Sequence, residues 1–245
     1  MRTRIENWRL TRRAIGVAFM LLAAWGWAGT ARADWPMDPT PQELGLLPPY
    51  CKHVQFGYGA TPEGTAHWTT VYGPLFHALH HYCYAFIYLM RADRHSTPAY
   101  VVNHDLSNAF AEIQYVIERS PPDHVLLPEM LTKQGMIKRR QGKPQDGMEL
   151  SKKAIELDRR YWRAYAELAN CLLAQNRKAE AREVLREGLT QTPSARLLTA
   201  MLEDLGGDGR AAQRAPAAAA EPPPARTSRA GASGGEDAPG SVPRQ

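Results

Sequence analysis

Cysteine is scarce, with three residues in 245, and no segment alternates as a β-strand or runs apolar for comfortably longer than a bilayer is thick. There is no Cys-x-x-Cys-His run to attach haem covalently, and no His followed by Glu in the metalloprotease order. Nucleophile elbow, phosphate loop and paired-carboxylate motifs are missing too, so nothing supports a catalytic centre or calls for a cofactor. A formal net charge of +5 points towards nucleic acid until its location is considered. Six of the 30 basic residues and one of the 25 acids fall within residues 1–33, which leaves 24 of each beyond them. The neutral remainder removes the electrostatic footing for a nucleic-acid partner.

What those first residues do have is the layout of an export signal. Arg2, Arg4, Arg9, Arg12 and Arg13 precede a charge-free apolar run over 14–30, and Ala31-Arg32-Ala33 sets small residues at a cleavage spacing, with the cut expected before Asp34. The run is at the short edge for a bilayer span, so the membrane is met only in transit; a retained inner-membrane anchor is the alternative. An exported protein lives where disulfides persist. Cys51 and Cys83 are the candidate pair, because both lie outside the clear repeats, where a staple is most needed. Cys171, left over from an odd count, falls on what should be a packed helical face.

Residues 34–73 are rich in Pro, Gly and aromatics and lack a helical period. They are expected to run extended over the rest, with one short helix where Thr40, Pro41 and Glu43 make a capping box and Pro48-Pro49 ends it. From residue 74 helical signals dominate: 75–92, a polar break over 93–104, then 105–119, 124–141, 144–157, 162–175 and 179–190. Leu197, Leu198, Met201, Leu202 and Leu205 recur at helical spacing and suit a capping helix over 196–205. The composition of 207–245, rich in Ala, Pro, Gly, Ser and Arg, predicts disorder. The fold class is all-α, with one helical domain over 74–206.

Within that domain small residues align on small residues at an offset of 34: Gly135 on Ala169, Gly147 on Ala181, Ala154 on Gly188, with Gln141-Gly142-Lys143 on Gln175-Asn176-Arg177. Over 162–195, Trp162, Tyr165, Ala169, Leu172, Ala181, Leu185, Gly188 and Pro193 resemble the tetratricopeptide repeat at its signature positions. The preceding repeat, 124–161, keeps Gly135 and Ala154 but has Ser151 where a large apolar residue is usual and Arg159 in place of the Pro. A third, degenerate repeat over 75–123 keeps Ala109, Ile113, Val116 and Pro121. The combination of Pro48-Pro49-Tyr50-Cys51, Gly73-Pro74, His80-His81-Tyr82-Cys83 and Pro121-Pro122-Asp123 is similar to a group of exported repeat proteins of Gram-negative bacteria, which implies a periplasmic setting.

The resemblance implies a helix-hairpin solenoid that binds another protein or peptide as a scaffold or adaptor in an envelope assembly. Its first helices would line a concave groove, with Glu129, Thr132, Arg139, Arg140, Arg163 and Asn170 facing the partner's carboxylates and amides. The bland reading places Arg139 and Arg140 on an exposed helix end. A second expectation concerns His77 and His81, one turn apart on a helix with His80 beside them, a spacing that can hold a metal or haem. Against it, Tyr82, Tyr84, Phe86 and Tyr88 surround these imidazoles and favour simple packing.

Overall fold

The computed structural model describes residues 39–54, 58–94 and 96–207. The expected signal peptide, and the expected tail apart from Gly207, lie outside the described residues. Among those residues the chain is helical, without strands.

The first helix, α1 (Pro41–Leu46), forms on the expected capping box: the Glu43 amide donates to Thr40 Oγ1 at 3.2 Å and the Thr40 amide to Glu43 Oε2 at 2.8 Å. A 3-10 turn, Pro49–Lys52, follows Pro48. The rest of the N-terminal segment departs from the extended course expected. It contains an eleven-residue helix, α2 (Pro62–Tyr72), none of whose residues is fully buried. Capping makes this helix: Thr61 Oγ1 accepts from the Gly64 amide at 3.1 Å, Pro62 is pre-set for the first turn, and Glu63 faces the positive helix end. An apolar stripe is what a partly exposed helix does without, and the stripe was the signal sought.

Two further boundaries move. Gly73–Ala78 is a 3-10 segment, entered through Gly73 at φ +63°, so α3 is confined to Leu79–Ala92. The polar break narrows because α4 (Ala99–Ile117) starts directly after Pro98, its first turn little buried, with Tyr100 77% exposed and Val102 only partly buried against the core. Downstream, α5 (Leu127–Arg140), α6 (Pro144–Leu157), α7 (Trp162–Leu173), α8 (Lys178–Gln191) and the cap α9 (Arg196–Asp204) follow the predicted order.

The helices pair as α3/α4, α5/α6 and α7/α8, with α9 closing the last pair. Helix α5 also packs directly on α7, whereas no comparable contact joins α6 to α8 among the described residues. First helices therefore lie on the inside of the curve and second helices outside.

The small residues explain how closely these layers approach. A Cβ on Gly147 would stand 2.7 Å from the Gly135 carbonyl oxygen and 2.8 Å from Cys171 Sγ. One on Gly135 would stand 2.9 Å from Ser151 Oγ, so the odd Ser151 is the residue small enough to face it; its hydroxyl donates to the Gly147 carbonyl at 2.9 Å. Equivalent turns close the two hairpins in the left-handed region, Gly142 at φ +75° and Asn176 at φ +59°. Asn is among the few residues with a side chain that tolerate that conformation.

The N-terminal segment belongs to the first core. Leu47, Tyr50, Cys51 and Val54 are buried with Leu75, Phe76, Leu79 and Tyr82 of the first hairpin. A Cys51–Cys83 disulfide, spanning 32 positions with Cα atoms 5.8 Å apart, fixes it there, and Cys171 is a buried free thiol. At its start, Glu43 is almost fully buried and accepts from Arg91 Nε at 2.8 Å and Arg94 Nη2 at 2.5 Å. The Arg91 guanidinium, above all, holds the Glu43 carboxyl down at about 2.

Candidate partner-binding groove

The inner helices carry charge at matching places: Glu129 and Lys133 on α5 correspond, one repeat on, to Arg163 and Glu167 on α7. The two repeats use these positions differently. On α7, Glu167 is 6% exposed and turned towards α5, where Arg139 meets it with Nε 2.7 Å from Oε1 and Nη2 3.2 Å from Oε2. On α5, Lys133 is half-buried above the Phe86 ring of α3, 4.7 Å from its centroid, and reaches Glu129 at 3.8 Å. Glu129 in turn accepts from the buried Tyr82 hydroxyl at 2.9 Å.

Three of the expected groove residues prove to be committed within the molecule. Thr132 is buried and its hydroxyl donates to the Pro128 carbonyl at 2.7 Å, the inward-turned choice a helical threonine has when no partner is near. Arg139 is tied to Glu167 because a carboxylate that deep requires a guanidinium. Arg140 donates to the Ala92 carbonyl at 3.1 Å and lies 2.8 Å from Asp93, so it caps the open carbonyl end of α3. Arg139 and Arg140 thus join neighbouring helices, while Thr132 bonds within its own.

Arg163 and Asn170 remain available. Arg163 is exposed, lies over the Trp162 ring at 4.4 Å and meets no carboxylate within ion-pair distance among the described residues. Asn170 is half-buried, without a side-chain hydrogen bond among them. Lys133 is the residue that sequence reasoning missed. Its position equals that of Glu167 in the next repeat, so the 34-residue offset carried the signal.

The electrostatics of this inner face are unbalanced. Burial pushes the Lys133 ammonium below its usual range, Glu129 draws it back up, and nearby Arg163 pushes it down again. Burial and the Glu129 charge both raise the Tyr161 hydroxyl. Lys133 is paired with Glu129, and Arg163 adds a second positive charge nearby without an ion pair among the described residues, next to Phe86, Tyr161 and Trp162.

The candidate histidines fall on two different elements. His77 lies in the 3-10 segment and His81 in α3, so they do not share one α-helical face. His81 Nδ1 is taken by Glu112 at 2.5 Å, and His80 Nδ1 donates to the His77 carbonyl at 2.9 Å. Among the described residues, no group of three or more His, Cys, Asp or Glu is placed to hold a metal. Nor is any described helix long and apolar enough to cross a membrane.

Residues 138–204, from the last turn of α5 through α9, match the family model described as Tetratricopeptide repeat. Among solved structures, the chain is similar to one titled "First TPR of Spaghetti (RPAP3) bound to HSP90 peptide SRMEEVD", at 17% identity and a TM-score of 0.38, covering 50% of this chain and 92% of that one. No curated protein matches. Residues 138–204 are therefore the part of the chain that matches the tetratricopeptide repeat, a helix-hairpin module of protein interaction, and they sit in an all-helical fold.

Proposed function

We propose, with the tetratricopeptide repeat over residues 138–204 as the premise, that the chain is an exported adaptor in the cell envelope of a Gram-negative bacterium, working in the periplasm after cleavage before Asp34. Its partner is an extended protein segment held on the inner face of the first helices. The observation that carries this reading is the unbalanced pair of cations there, Lys133 and Arg163, next to aromatic surface. A partner segment with an acidic group and an apolar neighbour relieves the repulsion between them and replaces the water lost from both. Asn170 supplies an amide able to pair with the partner's backbone.

The envelope setting is supported by the layout of residues 1–33 and by the buried Cys51–Cys83 disulfide, which suits an oxidising compartment. Reversing Lys133 and Arg163 together to Glu tests the groove. Capture of the partner should fall at least about tenfold, while Arg177→Glu on a distant turn leaves it intact. Unchanged capture by the double variant contradicts the groove. The setting has a separate check, because the mature protein in the periplasmic fraction should begin at Asp34, and an intact N-terminus in the membrane fraction favours the retained anchor.

A further inference from the structure

A second concentration of chemistry lies at the far end of the first hairpin, outside the groove. The 3-10 segment 73–78, the start of α3 and the end of α4 enclose a half-open cavity of about 370 Å³. Leu75, Ala78 and Pro121 give it an apolar floor, while His77, His80 and Arg119 stand on its wall, and no acidic residue among the described ones lines it. The wall is ordered by ring contacts. Arg119 lies 3.4 Å from the Tyr115 centroid, Tyr115 is 3.8 Å from the His81 ring, and His81 is 4.3 Å from His80.

The neighbouring carboxylates are occupied: Glu112 by His81, and Glu118 by the Gln114 side chain at 3.0 Å. Arg119 donates to the Tyr115 carbonyl at 2.9 Å but meets no carboxylate within ion-pair distance among the described residues. A guanidinium and two imidazoles therefore line a cavity with an apolar base and, among the described residues, no carboxylate in its lining.

We propose that this cavity binds a small organic acid, its carboxylate set against Arg119, His77 and His80 and its apolar body resting on Leu75, Ala78 and Pro121. The volume accommodates an aromatic or short aliphatic body, and the guanidinium presents several donors to one carboxylate.

Proton linkage follows from the same wall. Burial, then the adjacent His81, pushes His80 below its usual range, while its bond to the His77 carbonyl draws it back up, and the balance favours the neutral imidazole. A bound carboxylate favours the charged imidazole, so binding takes up a proton and tightens as pH falls. Among the described residues, the groups around His80 include His77 of the 3-10 segment, His81 and Tyr84 of α3, Tyr115 and Arg119 of α4, and Tyr72 of α2. Glu112 lies behind His81.

The test uses the mature full chain with benzoate, sulfate and benzyl alcohol as probes, followed by calorimetry and by the NMR signals of the imidazoles. Benzoate and sulfate keep constant charge across the range used, so a pH effect belongs to the protein. Benzoate should bind more tightly than either sulfate or benzyl alcohol and should gain about tenfold in affinity between pH 7.5 and 5.5. Arg119→Gln should weaken it about tenfold and His77→Gln severalfold, both at exposed positions where the fold tolerates change, while Arg186→Gln on α8 leaves it alone. The proposal is overturned if benzoate shows no saturable binding. Equal or tighter sulfate binding, or indifference to Arg119→Gln, would overturn it as well.

Discussion

The guanidinium of Arg139 on α5 grips the carboxylate of Glu167 on α7 through two parallel hydrogen bonds, and this pair is the polar joint between the two repeats. Around it the inner helices divide their charges: those at the joint hold the stack together, while Lys133 and Arg163, nearer the helix starts, lie over aromatic rings. Glu167 is buried, and Cys171 Sγ lies 3.5 Å from its Oε1. Burial first, then the Glu167 charge, raises the Cys171 thiol to about 12, so it is inert in the folded protein.

Arg139→Met strands the Glu167 carboxylate and is expected to cost about 3 kcal/mol in urea unfolding. The double variant Arg139→Met with Glu167→Met should recover most of that loss, because no buried charge is then left unpaired. A double variant as unstable as the single one contradicts the assignment of this pair as a joint.

Glu43 makes stability depend on acid. Its carboxyl is depressed from 4.5 to about 2, so its contribution is fully present above about pH 4.5 and disappears as pH falls through about 2. Glu43→Gln should therefore lose on the order of 2 kcal/mol at neutral pH, with the difference from wild type shrinking across that window. Equilibrium unfolding of both proteins at steps between pH 7 and 2 measures it, and a difference that does not change with pH would remove the Arg91 and Arg94 clasp as its cause.

Closing a loop across 32 positions, the Cys51–Cys83 bridge should contribute about 3 to 4 kcal/mol by restricting the unfolded chain. Cys51→Ser with Cys83→Ser, or reduction of the wild type, should lower thermal stability to that extent. Exposure of the N-terminal segment to protease reads the same loss, and peptide mapping that finds both thiols free in the exported protein refutes the bridge. Cys171 should resist thiol reagents until unfolding.

Gly147→Ala tests the close approach of α5 and α6 within one hairpin. The added Cβ would meet the Gly135 carbonyl oxygen at 2.7 Å, and backbone cannot step aside as a side-chain tip can. The clash should exceed the roughly 1 kcal/mol that alanine gains in helix propensity, giving a net loss of about 2 kcal/mol in chemical denaturation. A stabilised variant would mean that the helices are not packed this tightly.

The repeat half of the fold was legible because its constraints repeat: Gly147 on Ala181 and Gly142 on Asn176 reflect one geometry used twice. The N-terminal helix α2 was not, since it rests on Thr61 and Pro62 and buries no residue fully. The groove divided along another line. Register located the inner-face positions, but which cations stay available depends on whether a carboxylate lies opposite. Arg139 and Arg140 meet Glu167 and Asp93 across helix boundaries that no single-helix pattern encodes. Lys133 carries no mark within α5 alone, and its inner-face place shows only against Glu167, its counterpart one repeat on.

The central claim is that the inner face around Lys133 and Arg163 holds the partner, and photo-crosslinking from single positions measures this most directly. A photoreactive residue at 133 or 163, introduced in the exported chain in living cells, should capture the same partner protein. The same residue at 153 on α6 or 186 on α8, both exposed on outer helices, should capture none. Capture from the outer helices with silence from 133 and 163 would contradict the account.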